Sequence, residues 1–432
     1  MTGKLLGVSI ILFLVFMALT TGFMLDFIFF YPLFMSFIWI IGGIYFYFHW
    51  ERKSPGPEKT PTMSSQPFAT IIIPCFNEGE NVAETVEAAS NQNYPDYEII
   101  AVNDGSSDNT GVLLDSLTKD HPRLRVIHFA ENQGKAMALR MAAMAAKGEY
   151  IVCIDGDGLL HPNATAYLVK SMVDNPRVGA VTGNPRVRTR VTLLGKIQVG
   201  EFSSIIGLIK RAQRIYGQIF TVSGVIAAFR RRALHDCGYW DLNMITEDID
   251  ISWSMQIRHW QIQYEPNALA WILMPETLAG LWKQRLRWAQ GGAEVFFKNI
   301  TRIWRLRNIR IWMLVLEFCL STVWALAFAL SVVLWAISQF ATLPPDLNIP
   351  TIWPPAFWGL LLATASLLQF FTALVIESRY DHKLLRIMGW TIWYPIFFWM
   401  LSLATTLGGL PKAFFAHRAK RAQWNTLDRG FR

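Results

Sequence analysis

The chain has 432 residues, enough for more than one domain. Hydrophobic residues make up 52% and charged residues 17%, a balance that excludes a disordered chain and is too apolar for a wholly soluble one. The net charge is +8, from 40 Lys and Arg against 32 Asp and Glu. Nucleic-acid binding is one reading of a basic chain. Here the basic residues cluster where apolar blocks end, which points to anionic lipid headgroups and no nucleic-acid partner.

Residues 5–24 carry no charge and are long enough to span a bilayer as a helix. A cleaved signal peptide is the rival reading. It is disfavoured by the length of the stretch, by the lack of a small-x-small cleavage site and by a second apolar block at 27–48. Three more apolar blocks follow at 311–340, 353–376 and 387–410. The expected organisation is two transmembrane helices (1–50), a Pro-, Ser- and Thr-rich linker (51–68), a catalytic domain (69–276), interfacial helices (277–310), about three membrane segments (311–410) and a basic tail (411–432). Arg52 and Lys53 follow the second block, and Arg302, Arg305, Arg307 and Arg310 precede the third. Basic residues at both ends place the polar domain on the cytoplasmic side of the membrane, in a multi-pass protein. One conflict remains. A full last crossing would put the tail outside, yet it carries Lys412, Arg418, Lys420 and Arg421. A re-entrant or interfacial last segment, bent at Pro395, would remove it. The four cysteines, Cys75, Cys153, Cys237 and Cys319, lack metal-type spacing.

In the polar region, β-branched apolar runs at 69–73, 98–102, 124–128 and 150–154 read as strands. Helical spacing lies between them at 80–91, 110–119 and 134–146. This alternation predicts a mainly parallel, Rossmann-like α/β sheet covered by helices, with ligands beyond the carboxyl ends of its strands. Those ends are polar: Phe76-Asn77-Glu78 after the first strand, Asn103-Asp104-Gly105-Ser106 after the second, Asp155-Gly156-Asp157 after the fourth. Each alone is ordinary turn chemistry; their shared position favours a site. A nucleotide-sugar carries a diphosphate leaving group whose charge a carboxylate-held Mg²⁺ (or Mn²⁺) neutralises. Asp155 and Asp157 suit that ion, and Asp104 the nucleoside.

Thr246-Glu247-Asp248 reads in two ways: a helix start with Thr246 as N-cap, or a carboxylate that takes the proton of an attacking hydroxyl. Gln284-Arg285-Leu286-Arg287-Trp288 lies in an amphipathic stretch that reads as an interfacial helix. Gln284 and Trp288 fall one turn apart on one face. Arg287 suits a diphosphate, and Trp288 an acceptor sugar face. Arg186, Arg188, Arg190, Lys196, Lys210, Arg211 and Arg214 form a basic stretch, read either as a solvated or membrane-facing surface or as part of a substrate channel. Ser223-Gly224 suits an approach to the acceptor or simple core packing. Glu317 and Glu377 lie in or beside apolar blocks, Glu377 at an expected interface.

The ordered set Asp104, Asp155-Gly156-Asp157, Thr246-Glu247-Asp248 and Gln284 to Trp288 resembles the processive branch of glycosyltransferase family two, which includes cellulose, chitin and hyaluronan synthases. Residues 71–78, 181–186, 195–201 and 288–294 are further similar to its synthases of β-1,6-linked poly-N-acetylglucosamine, a biofilm exopolysaccharide. The resemblance implies a GT-A catalytic domain between N- and C-terminal membrane helices. It implies an N-acetylglucosaminyltransferase that polymerises UDP-N-acetylglucosamine with inversion and helps move the growing polysaccharide across the membrane. Asp248 would be the base. Asp155 and Asp157 would hold the metal and UDP, with Phe76, Glu78, Asp104, Lys135, Asp155 and Arg287 on the donor, and Glu247, Gln284 and Trp288 on the acceptor. It also implies a small membrane partner subunit and control by cyclic di-GMP, for which the sequence holds no separate sensing domain. Another processive polysaccharide synthase, or a single-transfer enzyme acting on a lipid carrier, stays open as an alternative.

Overall fold

In a computed structural model of the chain, the structure describes residues 2–20, 24–188, 190–349, 351–352, 356–387, 389, 394–416 and 422. Two apolar helices, α1 (Thr2–Thr20) and α2 (Met24–His49), lead into a 3₁₀ turn at Glu51–Lys53. Then come β1 (Ala69–Cys75), α3 (Val82–Ser90), β2 (Tyr97–Asp104), α4 (Thr110–Leu117), β3 (Leu124–Phe129), α5 (Lys135–Ala145) and β4 (Tyr150–Ile154). These match the strand and helix runs expected from the sequence to within two or three residues at each end. The chain continues through β5 (Leu159–Leu160), α6 (Ala164–Val173), β6 (Val178–Val187), α7 (Leu193–Glu201), a π-helical segment at Phe202–Ile209, α8 (Lys210–Ile215), β7 (Ile226–Arg230), α9 (Arg231–Cys237), α10 (Glu247–Ile257) and β8 (Gln261–Ile272). It closes with α11 (Leu278–Ile303), α12 (Trp312–Ser338), α13 (Ala356–Glu377), α14 (Leu384–Ile387) and α15 (Tyr394–Phe415).

The eight strands form one sheet in the order β3-β2-β1-β4-β7-β6-β8-β5. β1 runs parallel to β2 and β4, and β2 to β3. β7 is antiparallel to both β4 and β6, β8 is parallel to β6, and β5 is antiparallel to β8. Every residue of β1 is buried, as an apolar run covered on both faces requires. Ile71 and Ile73 pack with Val82 and Val86 of α3, while Ile72 packs with Ala138 and Leu139 of α5.

Among the described residues three helical stretches are long and apolar enough to cross a membrane: Met24–Lys53, Leu306–Ser338 and Phe357–Glu377. α1 packs on α11 through Ile11, Phe296 and Phe297. α15 follows a different course. Phe397 and Phe398 at its start pack in one cluster with Ile197 of α7 and Phe370 of α13, and Trp399 meets Trp324 with ring centroids 4.9 Å apart. At its other end Lys4 Nζ donates to Phe414 O and Ala416 O, both at 2.6 Å. Pro395 falls in the first turn of this helix, and residues 390–393, which lead into it, lie outside the described residues. Arg418, Lys420 and Arg421 of the basic tail lie outside the described residues.

The basic stretch departs from the reading of it as surface. Arg211 and Glu377 are both 0% exposed. Arg211 pairs with Glu51 (Nε–Oε2 2.6 Å) and with Glu377, and Glu377 also accepts from Arg186. Tyr380 donates to Glu51 Oε1 at 2.7 Å. A surface would have left these charges in water; instead they form a dry cluster joining the end of α2, α8, β6 and the end of α13. Glu377 is thus enclosed by protein and paired. The stretch expected as a linker is also packed: Asn163 Nδ2 donates to Pro57 O (2.8 Å) and Tyr167 Oη to Gly56 O (2.6 Å).

Candidate active site

The carboxyl ends of β1, β2 and β4 sit side by side, and their loops are tied together. The Asn77 N–H donates to Ser106 Oγ (3.0 Å), and the Ser107 N–H to Asn77 Oδ1 (2.9 Å). Asp104 is fully buried. Its Oδ1 accepts from the Gln133 N–H (2.7 Å) and its Oδ2 from the Gly134 N–H (2.9 Å). Burial raises its pKa, which those two bonds partly offset. The carboxylate therefore fixes the turn that starts α5, and so fixes Lys135 at the first position of that helix.

Lys135 is the hub of the site. Its Nζ lies 2.5 Å from Asp155 Oδ1 and 3.2 Å from Glu247 Oε1, and reaches Gly224 O at 3.4 Å. Burial works against the ammonium, but the charges of Asp155 and Glu247 outweigh it and raise its pKa, so it stays protonated. One cation thus joins the end of β4, the start of α10 and the turn before β7. Gly156 is needed for packing: a Cβ there would lie 2.9 Å from Glu78 Cγ. The close approach brings the buried Glu78 and Asp157 to the same edge as Asp155. Phe76 is half-buried beside them.

Asp248 is half-buried in the first turn of α10, with Oδ1 accepting from the Ile249 N–H (2.9 Å). Burial, and then the like charge of Glu247, push its carboxyl up to about 6, against the pull of Lys135, the Ile249 N–H and Arg287. Asp248 and Glu247 line a narrow pocket with Ser223 and Gly224, floored by Leu139 and Cys153. Thr246 occupies the N-cap position, but its hydroxyl makes no capping bond and is buried without a partner among the described residues. The side-chain cap expected there is therefore absent.

α11 forms the remaining wall. Gln284 is buried, and Arg285 Nη1 donates to its Oε1 at 3.0 Å. Arg285 also pairs with Glu201 (2.7 Å) and lies 4.1 Å above the Trp288 ring. Trp288 keeps 36% of its surface exposed. Arg287 Nε is buried with no hydrogen-bond partner among the described residues, and the guanidinium is close enough to lower the pKa of Asp248. Among the described residues no three His, Cys, Asp or Glu cluster in a form that could hold a metal unaided.

Residues 70–238 match the profile described as Glycosyl transferase family 2. A poly-beta-1,6-N-acetyl-D-glucosamine synthase of Staphylococcus epidermidis is 38% identical over 410 residues, covering 94% of this chain and 98% of its own. One from Staphylococcus aureus (strain COL) is 38% identical over 406 residues with the same coverage. The chain belongs to glycosyltransferase family 2. A solved mannosyltransferase from Pyrobaculum calidifontis, in complex with GDP-Man and Mn²⁺, superposes with a TM-score of 0.57. It shares 21% identity and covers 90% of this chain and 99% of its own, which fixes the fold as GT-A.

In this family 2 transferase, Asp155, Lys135, Glu247 and Asp248 converge on one pocket, and Arg287 faces it from α11. Gln284 and Trp288 are joined through Arg285, a residue to which sequence reasoning gave no role. Its signal was present only as a third basic side chain in an amphipathic helix. Lys210 was placed in the basic stretch without a specific function. It is 6% exposed, donates to Thr182 Oγ1 (3.0 Å), and is lowered by burial to about 7, with Asp248 opposing. It follows directly on the π-helical segment, a rare geometry that recurs at functional sites.

Proposed function

We propose that the chain polymerises N-acetylglucosamine from UDP-N-acetylglucosamine into a β-1,6-linked polysaccharide, transferring each sugar with inversion. The convergence of Asp155, Lys135, Glu247 and Asp248 with Arg287 carries this reading. Asp248 takes the proton of the acceptor hydroxyl as its oxygen attacks the anomeric carbon. The bond to the diphosphate breaks on the opposite face, and UDP leaves. A carboxyl at about 6 is ionised at neutral pH yet basic enough to accept a proton as it develops. Arg287, whose buried Nε has no hydrogen-bond partner among the described residues, receives the charge that grows on the diphosphate. Lys135 holds Asp155 and Glu247 apart from each other and in register. Phe76, Glu78 and the loop fixed by Asp104 take the uridine side. Gln284 and Trp288, with Glu247, take the acceptor.

A divalent ion fits this donor set. Asp155 and Asp157 offer two hard carboxylate groups on either side of one glycine. Mg²⁺ and Mn²⁺ are commonly held by one or two carboxylates, the rest of the shell coming from substrate phosphates and water. Such an ion does not need a larger protein cluster. When bound, the ion would neutralise the diphosphate.

The polar domain is cytoplasmic in this reading, under α2, α12 and α13. α15 then lies along α11 and ends beside Lys4 at the start of α1. A segment of that kind leaves the basic tail on the same side as the catalytic domain. A small membrane partner and control by cyclic di-GMP complete the proposal, acting at the membrane part. The test is to give membranes holding the full chain UDP-N-acetylglucosamine and Mg²⁺, and to measure UDP release and product length. Long product, abolished in Asp248→Asn, supports the reading. Products of one or two sugars, or use of UDP-glucose alone, overturn it.

A further inference from the structure

A cavity of about 150 Å³ opens where α2 leaves the apolar region, sharing no wall residue with the pocket at Asp248. Phe46 and Trp50 close it on the α2 side, Arg214 of α8 on another, and Glu265 and Asn267 of β8 on the third. Two polar groups there lack a protein counterpart among the described residues. The Arg214 side chain makes no hydrogen bond or ion pair; burial lowers its pKa, opposed by the charge of Glu265 from beyond ion-pair distance. Asn267 is 2% exposed. Its amide orientation is fixed, because Nδ2 donates to Glu265 Oε1 (2.8 Å) and Ser54 Oγ (2.9 Å), and a carboxylate accepts only. That leaves Asn267 Oδ1 buried with no donor.

An unfilled donor fork and an unfilled acceptor on one cavity call for a ligand with acceptor oxygens at one end and N–H donors at the other. Glu265 adds a carboxylate and Trp50 an aromatic face, both of which attract an ammonium. The depth is that of a headgroup. Trp50 and Phe48, 45% and 56% exposed, stand at the end of a helix apolar enough to cross a membrane, where aromatic side chains collect. We propose that this cavity holds the headgroup of an ethanolamine phospholipid. The phosphate sits on Arg214 and the ammonium among Asn267 Oδ1, Glu265 and Trp50. The lipid then braces α2, α8 and β8 against one another. The inference requires that the chain lie in a bilayer and is independent of the transfer chemistry.

Native mass spectrometry of the detergent-purified full chain tests it, with ethanolamine phospholipid, phosphatidylglycerol and free phosphoethanolamine added separately. The ethanolamine lipid is expected to stay bound under activation that strips phosphatidylglycerol. Arg214→Gln should weaken its retention roughly tenfold or more, the loss expected for a charge-assisted pair. Glu265→Gln, which keeps the side-chain shape, should reduce the preference for ethanolamine while sparing retention of either lipid's phosphate. Equal retention of the two lipids, or unchanged retention in both variants, overturns the proposal. Binding of free phosphoethanolamine without retention of the lipid overturns the lipid assignment. UDP release measured on the same preparation separates the two readings: intact transfer with no headgroup preference refutes this inference alone.

Discussion

A Cβ at Gly291 would lie 2.2 Å from Thr246 Oγ1, so α11 rests directly on the residue that precedes Glu247 and Asp248. The glycine lets the helix carrying Arg287 approach the start of α10. Gly291→Ala should therefore push the two helices apart, at a cost of about 1–3 kcal/mol of overpacking, with transfer falling more than stability. Thr246→Gly removes the atoms that would clash. The double variant should regain part of the UDP release lost by the single one.

Asp248 sets a pH dependence of opposite sign for activity and stability. With Asp248 as the proposed base, UDP release should fall as pH drops through about 6. Burial raises this carboxyl above its ordinary value of 3.8, so the folded state holds the proton more tightly than the unfolded chain. The stabilisation is complete below 3.8 and is lost as pH rises through about 6. Asp248→Asn should abolish transfer while melting at or above the wild-type temperature at pH 7.5. A lower melting temperature would contradict the account of its burial.

The buried Nε of Arg287 has no hydrogen-bond partner among the described residues. Arg287→Lys should leave the melting temperature nearly unchanged and cut kcat by roughly 10²-fold, as removal of a group that stabilises developing charge does. Steady-state UDP release and a thermal melt on one sample check both halves.

Glu377 lies between Arg211 and Arg186 with no solvent contact. Glu377→Gln should destabilise by about 3–5 kcal/mol, because it leaves buried guanidinium charge uncompensated. The readout is yield of monodisperse protein and its melting temperature.

Chelation with EDTA should stop transfer, and Mg²⁺ or Mn²⁺ should restore it. Asp157→Asn should raise the metal concentration needed for half-maximal UDP release.

The first half of the sheet was legible because β1 to β4 are apolar, β-branched runs closed by turn residues, and parallel strands buried on both faces read that way. β7 and β8 were not. Ile-Ala-Ala-Phe-Arg is short and alanine-rich, and β8 carries Gln261, Gln263, Glu265 and Asn267 among its first seven residues. Asp104, Asp155 and Asp157 stood out from their places at strand ends, and Glu247 and Asp248 from a motif that read equally as a helix start. Their hub was legible only through family resemblance, since nothing in the spacing of Lys135 says that it meets Glu247, 112 positions later (247 minus 135). The basic stretch misled because charge alone does not distinguish a solvated face from one whose counter-charges arrive from distant helices. Glu51 and Glu377 reach Arg211 from 160 and 166 residues away.

That cluster has a consequence for any attempt to free the catalytic domain. A fragment of residues 69–276 keeps Arg186 and Arg211 but discards Glu51 and Glu377. It would inherit two buried cations with no anions. Arg211 is the immediate chain neighbour of Lys210, whose ammonium feels the charge of Asp248. The catalytic domain is therefore not closed on itself. The ends of the chain's apolar helices complete its interior, and excising them would unmake the site.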